Sequence, residues 1–259
     1  MPNITILQAD NRPQLNYLLL TQQVNKKACD YLDYKYLFVT IDNTKYIDMH
    51  PATKKIYVVN DFLNDDLNRK DNNDILVFLD SDAWIQNCFW LDEIIKQLQN
   101  SLVKHGCFSR DPYAKKNTFI NSGSFILKIN DFTRKMYSEI INSLENDETN
   151  SYYKKSWPYD QFYISNYVFN NKEDFDIFVP DILNTPLGKV LRHNWHKTQH
   201  MYDDLHDLIT NNVIDADKNT YNTNNTDNAD NTNLNFDLKK YIDEEVFPNT
   251  DENAYEYIV

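Results

Sequence analysis

The stretch DILVFLDSDAW, Asp74 to Trp84, decides the reading of this chain. The apolar run Ile75 to Leu79 suits a strand covered on both faces, as in a parallel sheet with helices on either side. An Asp-Ser-Asp triplet follows at once. In such sheets ligands sit beyond the C-terminal ends of the strands. Residues i and i+2 at a strand end point to the same side, so Asp80 and Asp82 are expected to share one divalent cation and the diphosphate it carries. Ser81, between them, is placed beside the same phosphates. Leu79 before the triplet and Ala83-Trp84 after it keep water away. The plain alternative is a polar loop that closes a strand.

Outward from this stretch, strand and helix patterns alternate. Ile4 to Gln8 reads as a strand, and Ala-Asp-Asn-Arg-Pro after it reads as a polar turn. Asp10 and Arg12 thus fall at a strand end and are candidates for contacting a nucleotide. Pro13 suits the first turn of a helix, and Leu15, Leu18 and Leu19 recur at helical spacing toward Leu32. Tyr36 to Ile41 predicts a second strand, and Lys54 to Leu63 a helix. Phe89 to Val103 is amphipathic. Phe119 to Ile129 predicts a strand pair or one bent strand. Helices are expected over Asp131 to Leu144 and Pro158 to Phe169, and a short strand over Ile177 to Pro180. The order implies an α/β, Rossmann-like fold with a mostly parallel sheet and helices on both faces.

Three further segments carry chemistry. In Arg192-His193-Asn194-Trp195-His196-Lys197, two imidazoles and an ammonium lie close together. An imidazole can complete a metal shell begun by two carboxylates; Mn²⁺ tolerates mixed oxygen and nitrogen ligands, with Mg²⁺ as the other choice. Lys197 can neutralise a diphosphate. In Asn121-Ser122-Gly123-Ser124, Gly123 is one of only 3 glycines, which points to close backbone approach. Asn121 and Ser122 can read sugar hydroxyls. In Trp157-Pro158-Tyr159-Asp160-Gln161, Asp160 and Gln161 either face a reacting sugar or cap a helix.

Composition removes several classes. The net charge of −13 is uneven: residues 1–202 carry 23 Lys+Arg against 25 Asp+Glu, while residues 203–259 carry 3 against 14. The body has no basic excess, so nucleic-acid binding through phosphate neutralisation is not expected. Three scattered cysteines give neither a zinc pattern nor a disulfide framework. No apolar run approaches a membrane span, and the N-terminus lacks a signal-peptide pattern. The chain is expected to be soluble and cytoplasmic. Its organisation reads as a catalytic domain over 1–202, a short helix over 203–210, an Asn/Thr/Asp-rich linker over 211–235 and an acidic segment over 236–259. That last segment offers Tyr241, Phe247, Tyr255 and Tyr257 as apolar anchors. Oligomeric state is left open.

Taken in order, VNKKACDYLDYKYLFV, HPATKKIYVVNDFL, LDSDA, NSGSFILK, Asp160-Gln161 and a late His followed by a Lys resemble the α-galactosyltransferase and xyloglucan-xylosyltransferase family of GT-A glycosyltransferases. The likeness to the glycogenin-like group is looser. It spans about Ile4 to Lys197. The resemblance implies a GT-A domain that binds a nucleotide-sugar donor, usually a UDP-sugar, with Mn²⁺, and transfers the sugar to a glycan or protein acceptor with retention of configuration. It assigns Asp80, Asp82 and His193 to the metal. It turns Asn121, Ser122 and Gly123 toward the sugar and sets Asp160 and Gln161 beside the reacting carbon. Lys197 matches a diphosphate contact, but the loop here reads HNWHK where the family has His-Phe-Ala-Gly, so His196 competes for that role. Two other classes remain: a catalytically silent sugar- or nucleotide-binding module of the same fold, and a metal-dependent nucleotidyltransferase.

Overall fold

The computed structural model describes residues 3–65, 74–112, 119–210 and 241–242. A six-stranded sheet runs through the middle in the order β2-β1-β3-β6-β5-β7. Its strands are β1 (Ile4–Asp10), β2 (Lys35–Thr40), β3 (Ile75–Leu79), β5 (Gly106–Arg110), β6 (Ile120–Lys128) and β7 (Phe175–Phe178). Pairs β1·β2, β1·β3 and β5·β7 are parallel, and β6 is antiparallel to both of its neighbours. The sheet is therefore mostly parallel with one reversed strand. The Phe119–Ile129 segment is that single strand, and a register shift in its pairing with β5 falls between Cys107 and Ser109.

Helices α1 (Asn16–Leu32), α2 (Pro51–Asn64), α3 (Cys88–Asn100), α4 (Asp131–Asn146), α5 (Asp160–Asn170), the short α6 (Pro180–Leu183) and α7 (Gln199–Thr210) surround the sheet. Strand β3 is buried along its whole length, as a continuous apolar run requires. Phe78 and Leu76 enter the cluster that holds α2, α4 and α5, while Ile75, Val77 and Leu79 enter the one that holds α3. The two faces of one strand thus feed two cores, the signature of a covered sheet. Local chemistry sets the helix starts. Asn130 and Thr133 form a reciprocal capping box on α4, and Asn87 caps α3 through Trp90 N.

The helix expected over 203–210 begins at Gln199 and packs on α1, with Met201, Leu205 and Leu208 against Tyr17, Leu18 and Val24. The 211–235 linker lies outside the described residues. Of the acidic segment, Tyr241 and Ile242 are described, and they dock on the edge of the sheet. Val179 N donates to Tyr241 O at 2.9 Å, Ile242 bridges Phe178 in antiparallel fashion, and Lys189 Nζ lies 5.3 Å from the centre of the Tyr241 ring. This contact ties part of the tail to the core. Tyr241→Ala is expected to cost ~1–2 kcal/mol, the usual result of deleting a partly buried ring. Thermal melting checks this, as a fall of roughly 2–8 °C.

Candidate functional site

A cavity of about 600 Å³ opens at the C-terminal ends of β1 and β3. The strand ends carry the polar residues to its floor. Asp10 closes β1 and holds Arg12 with a two-pronged pair, Nε to Oδ1 at 3.0 Å and Nη2 to Oδ2 at 3.1 Å. Asp80 follows β3. The two acidic residues of the triplet do not meet through strand alternation, because β3 stops at Leu79 and residues 81–82 form a turn. That turn is pinned from four sides: Asp80 N donates to Gly123 O, Ala83 N donates to Asp80 O, Gln8 Nε2 donates to Asp80 O and Thr21 Oγ1 donates to Ser81 O.

The chain then makes β4 (Ala83–Ile85), which pairs antiparallel with β8 (Leu191–His193). The register sets Ala83 opposite His193, and Asn194 N donates to Asp82 O at 3.0 Å. Two three-residue strands thus bring an imidazole from late in the chain to the triplet. His193 Nε2 lies 3.2 Å from Asp82 Oδ1 and 3.7 Å from Asp80 Oδ2. One ligand atom from each of Asp80, Asp82 and His193 lies within 4.8 Å of the others.

The residues present fit a divalent ion. Asn121 Oδ1 accepts from Gly123 N at 2.9 Å and Asn121 Nδ2 donates to Asp111 Oδ2 at 3.2 Å, which fixes the orientation of the amide. His193 Nδ1, 3.2 Å from Asn121 Oδ1, is then the N–H that donates to it. That leaves the Nε2 lone pair for a metal, on the side of the two carboxylates. The ring itself fits only because residue 123 is glycine. A Cβ there would lie 2.0 Å from His193 Cε1.

Electrostatics agree with this geometry. Burial pushes the Asp82 carboxyl up, but His193 and Lys197 beside it more than offset this and hold it well below the usual carboxylate range. Burial lowers the His193 pKa, but Asp82 reverses the shift, so the imidazole holds its proton more tightly than an ordinary histidine. Nε2 must lose that proton before it can ligate. Mn²⁺-dependent nucleotide affinity is therefore expected to weaken steadily as the pH falls through the raised His193 pKa, a trend read by calorimetry at several pH values.

Lys197 lines the cavity, with Nζ 3.5 Å from Asp82 Oδ2 and 5.0 Å from the centre of the Tyr17 ring. His196 is not among the lining residues; its ring lies 5.9 Å from that of Trp195. Of the two, Lys197 is the one at the cavity wall. Asn121, Ser122, Gly123, Asp160 and Gln161 all line the cavity. The Asn121 side chain is engaged with Gly123, His193 and Asp111, so its visible work is to orient His193. Gln161 donates from Nε2 to Asp111 Oδ2 at 2.8 Å and accepts from Ser122 N at 3.5 Å. Tyr159, not Asp160, is the N-cap of α5, and its side chain makes no capping bond. The Asp160 carboxylate turns instead to Lys55.

Lys55 and Asp111 did not stand out in the sequence. Lys55 Nζ lies 2.6 Å from Asp80 Oδ1 and 3.5 Å from Asp160 Oδ2, and so joins the Asp80–Asp82–His193 cluster to the α5 acid. Burial disfavours its charge, but Asp160 and Asp80 together hold it protonated. Burial also raises the Asp160 carboxyl, to about 6, against the pull of Lys55. Asp111 anchors both Asn121 and Gln161. The only sequence signal for Lys55 was its place in HPATKK; Asp111 left none.

The architecture is that of the GT-A glycosyltransferases. It is similar to a glycosyltransferase involved in the glycosylation of the major capsid of PBCV-1, with a TM-score of 0.60 and 15% identity over 79% of this chain and 99% of that one. It is also similar to the galactosyltransferase LgtC in complex with donor and acceptor sugar analogs, with a TM-score of 0.50 and 10% identity over 80% and 95% of the two chains. No family model matches the chain, and no curated protein matches it. Among the described residues, no helix is long and apolar enough to cross a membrane.

Proposed function

We propose that this protein is a metal-dependent glycosyltransferase that moves a hexose or pentose from a nucleotide-diphosphate sugar, a UDP-sugar in the first instance, to an acceptor hydroxyl with retention. One observation carries the reading: the Asp80–Asp82–His193 cluster sits on the floor of an open cavity, at the strand ends of a fold shared with glycosyltransferases. These three side chains would hold the ion, Mn²⁺ or Mg²⁺. When bound, it supplies Lewis-acid stabilisation of the departing diphosphate.

The protein's own groups do the rest. Asp10 and Arg12 bind the nucleotide. Lys197 adds positive charge at the diphosphate. The bond from the anomeric carbon to the diphosphate oxygen breaks as the bond to the acceptor oxygen forms on the same face. The acceptor proton passes to the departing phosphate. Asp160, held by Lys55, offers negative charge to the cationic sugar at the moment it develops. Gln161, oriented by Asp111, lines the same wall.

The reading is tested by offering UDP-, GDP- and ADP-sugars with Mn²⁺ and following free sugar and nucleotide, since transferases often hydrolyse their donors slowly. Release of sugar and nucleoside diphosphate supports transfer. Release of pyrophosphate would favour a nucleotidyltransferase, and binding without turnover would favour a silent module.

A further inference from the structure

The cavity wall that precedes Asp160 is aromatic. Trp157 and Tyr159 both line it, and Trp157 remains 45% exposed, a large apolar face kept at the mouth. Tyr159 is held at φ 54° and ψ −127°, a conformation that residues with side chains rarely adopt. Its ring stacks on His50, with centroids 4.1 Å apart and planes 17° apart. His50 is itself fixed, because its Nδ1 accepts from Ala52 N at the start of α2 and its N donates to Lys154 O. The N-cap residues of two helices thus form one stiff stack at the cavity wall. Such a stack is larger and more apolar than phosphate or metal binding needs, and the charged groups for those tasks come from the ends of β1 and β8 and from the turn after β3.

We propose that Trp157, backed by the Tyr159–His50 stack, forms the acceptor subsite and takes a pyranose ring of a glycan against its exposed face. The proposal rests on the reading of the cavity as a site of glycosyl transfer. The chemistry follows from position. The acceptor oxygen must reach the anomeric carbon, which lies beside Asp160, and these rings stand one and three residues before it in the chain. A pyranose presents a face of C–H groups that packs on an aromatic ring, with hydroxyls left at the edge for polar neighbours. Exposed polar chain around a serine or threonine hydroxyl offers no comparable flat apolar face. The acceptor class assigned is therefore a glycan.

The test uses the full chain, loaded with UDP and Mn²⁺, on an array of gluco-, galacto-, manno- and xylo-configured oligosaccharides together with Ser/Thr peptides. The expected result is retention on at least one oligosaccharide, at least tenfold weaker in Trp157→Ala and largely restored in Trp157→Phe. Trp157 is half exposed, so both variants are expected to fold, and melting curves verify it. Retention on peptides alone, on nothing, or on saccharides with unchanged strength in Trp157→Ala overturns the proposal. A loss confined to UDP affinity also overturns it, since the ring would then serve the nucleobase. Donor hydrolysis without saccharide is scored separately. Its absence counts against the transferase reading, while saccharide retention still decides the subsite.

Discussion

Gly123→Ala, a gain of one methyl group, is expected to remove most Mn²⁺-dependent nucleotide binding while leaving the fold in place. A Cβ at this position would stand 2.0, 2.1 and 2.7 Å from His193 Cε1, Nδ1 and Nε2, far inside contact distance. The glycine does not occupy the left-handed region, so alanine suits its backbone and the whole effect is steric. Either the imidazole leaves, and with it the third ligand, or β6 shifts and breaks the bond from Asp80 N to Gly123 O. Displacing a buried ring costs on the order of 1–3 kcal/mol. The loss of metal affinity should reach at least the roughly 10–100-fold typical of disturbing a ligand's support. Calorimetry of UDP with and without Mn²⁺, beside a melting curve, measures both. Normal Mn²⁺-dependent affinity in a folded Gly123→Ala would mean that His193 is not a ligand.

Asp160→Asn is expected to lower kcat by about 10²–10³, the usual cost of removing one group that stabilises developing charge, with donor affinity little changed. The substitution keeps the shape and removes the charge. Lys55 retains Asp80 as a partner, so the ammonium is not left alone. Burial raises the Asp160 carboxyl to about 6, and the ionised form is the active one in this account. At saturating donor and Mn²⁺, where His193 is held in its ligating form, kcat should therefore fall as the pH drops into the range of this raised carboxyl, and Asp160→Asn should lack that fall. Gln161→Ala is expected to act in part through the wall itself, because it strips a donor from buried Asp111. A stability loss in Asp160→Asn with normal turnover would leave the residue a structural role only.

The parts of this fold with a long pattern were legible in the sequence. The Ile75–Leu79 run, the α1 leucines and the Asp131–Leu144 helix each repeat a period over enough residues to declare themselves. β4 and β8 do not. Three residues hold no period, yet their pairing carries His193 to Asp82. β5, GCFSR, mixes a glycine and polar residues into a buried strand, so composition spoke against it. Strand direction also leaves no mark on composition, which is why the reversal of β6 was not foreseen. The Asp80-Ser81-Asp82 motif was visible because acidic residues after an apolar run stand out. Lys55 sits in a helix where a lysine ordinarily faces water; only the packing of α2 against the strand ends turns it inward between Asp80 and Asp160.

The claim on which the rest depends is that Asp80, Asp82 and His193 hold the ion to which the donor diphosphate binds. It is tested most directly by titrating UDP into the wild-type protein and into Asp80→Asn, Asp82→Asn and His193→Ala, each with Mn²⁺ and with chelator. The account predicts tight binding to the wild type only with Mn²⁺, and loss of most of that metal-dependent gain in all three folded variants. Equal UDP affinity with and without the ion, or an undiminished gain in the three variants, would contradict it.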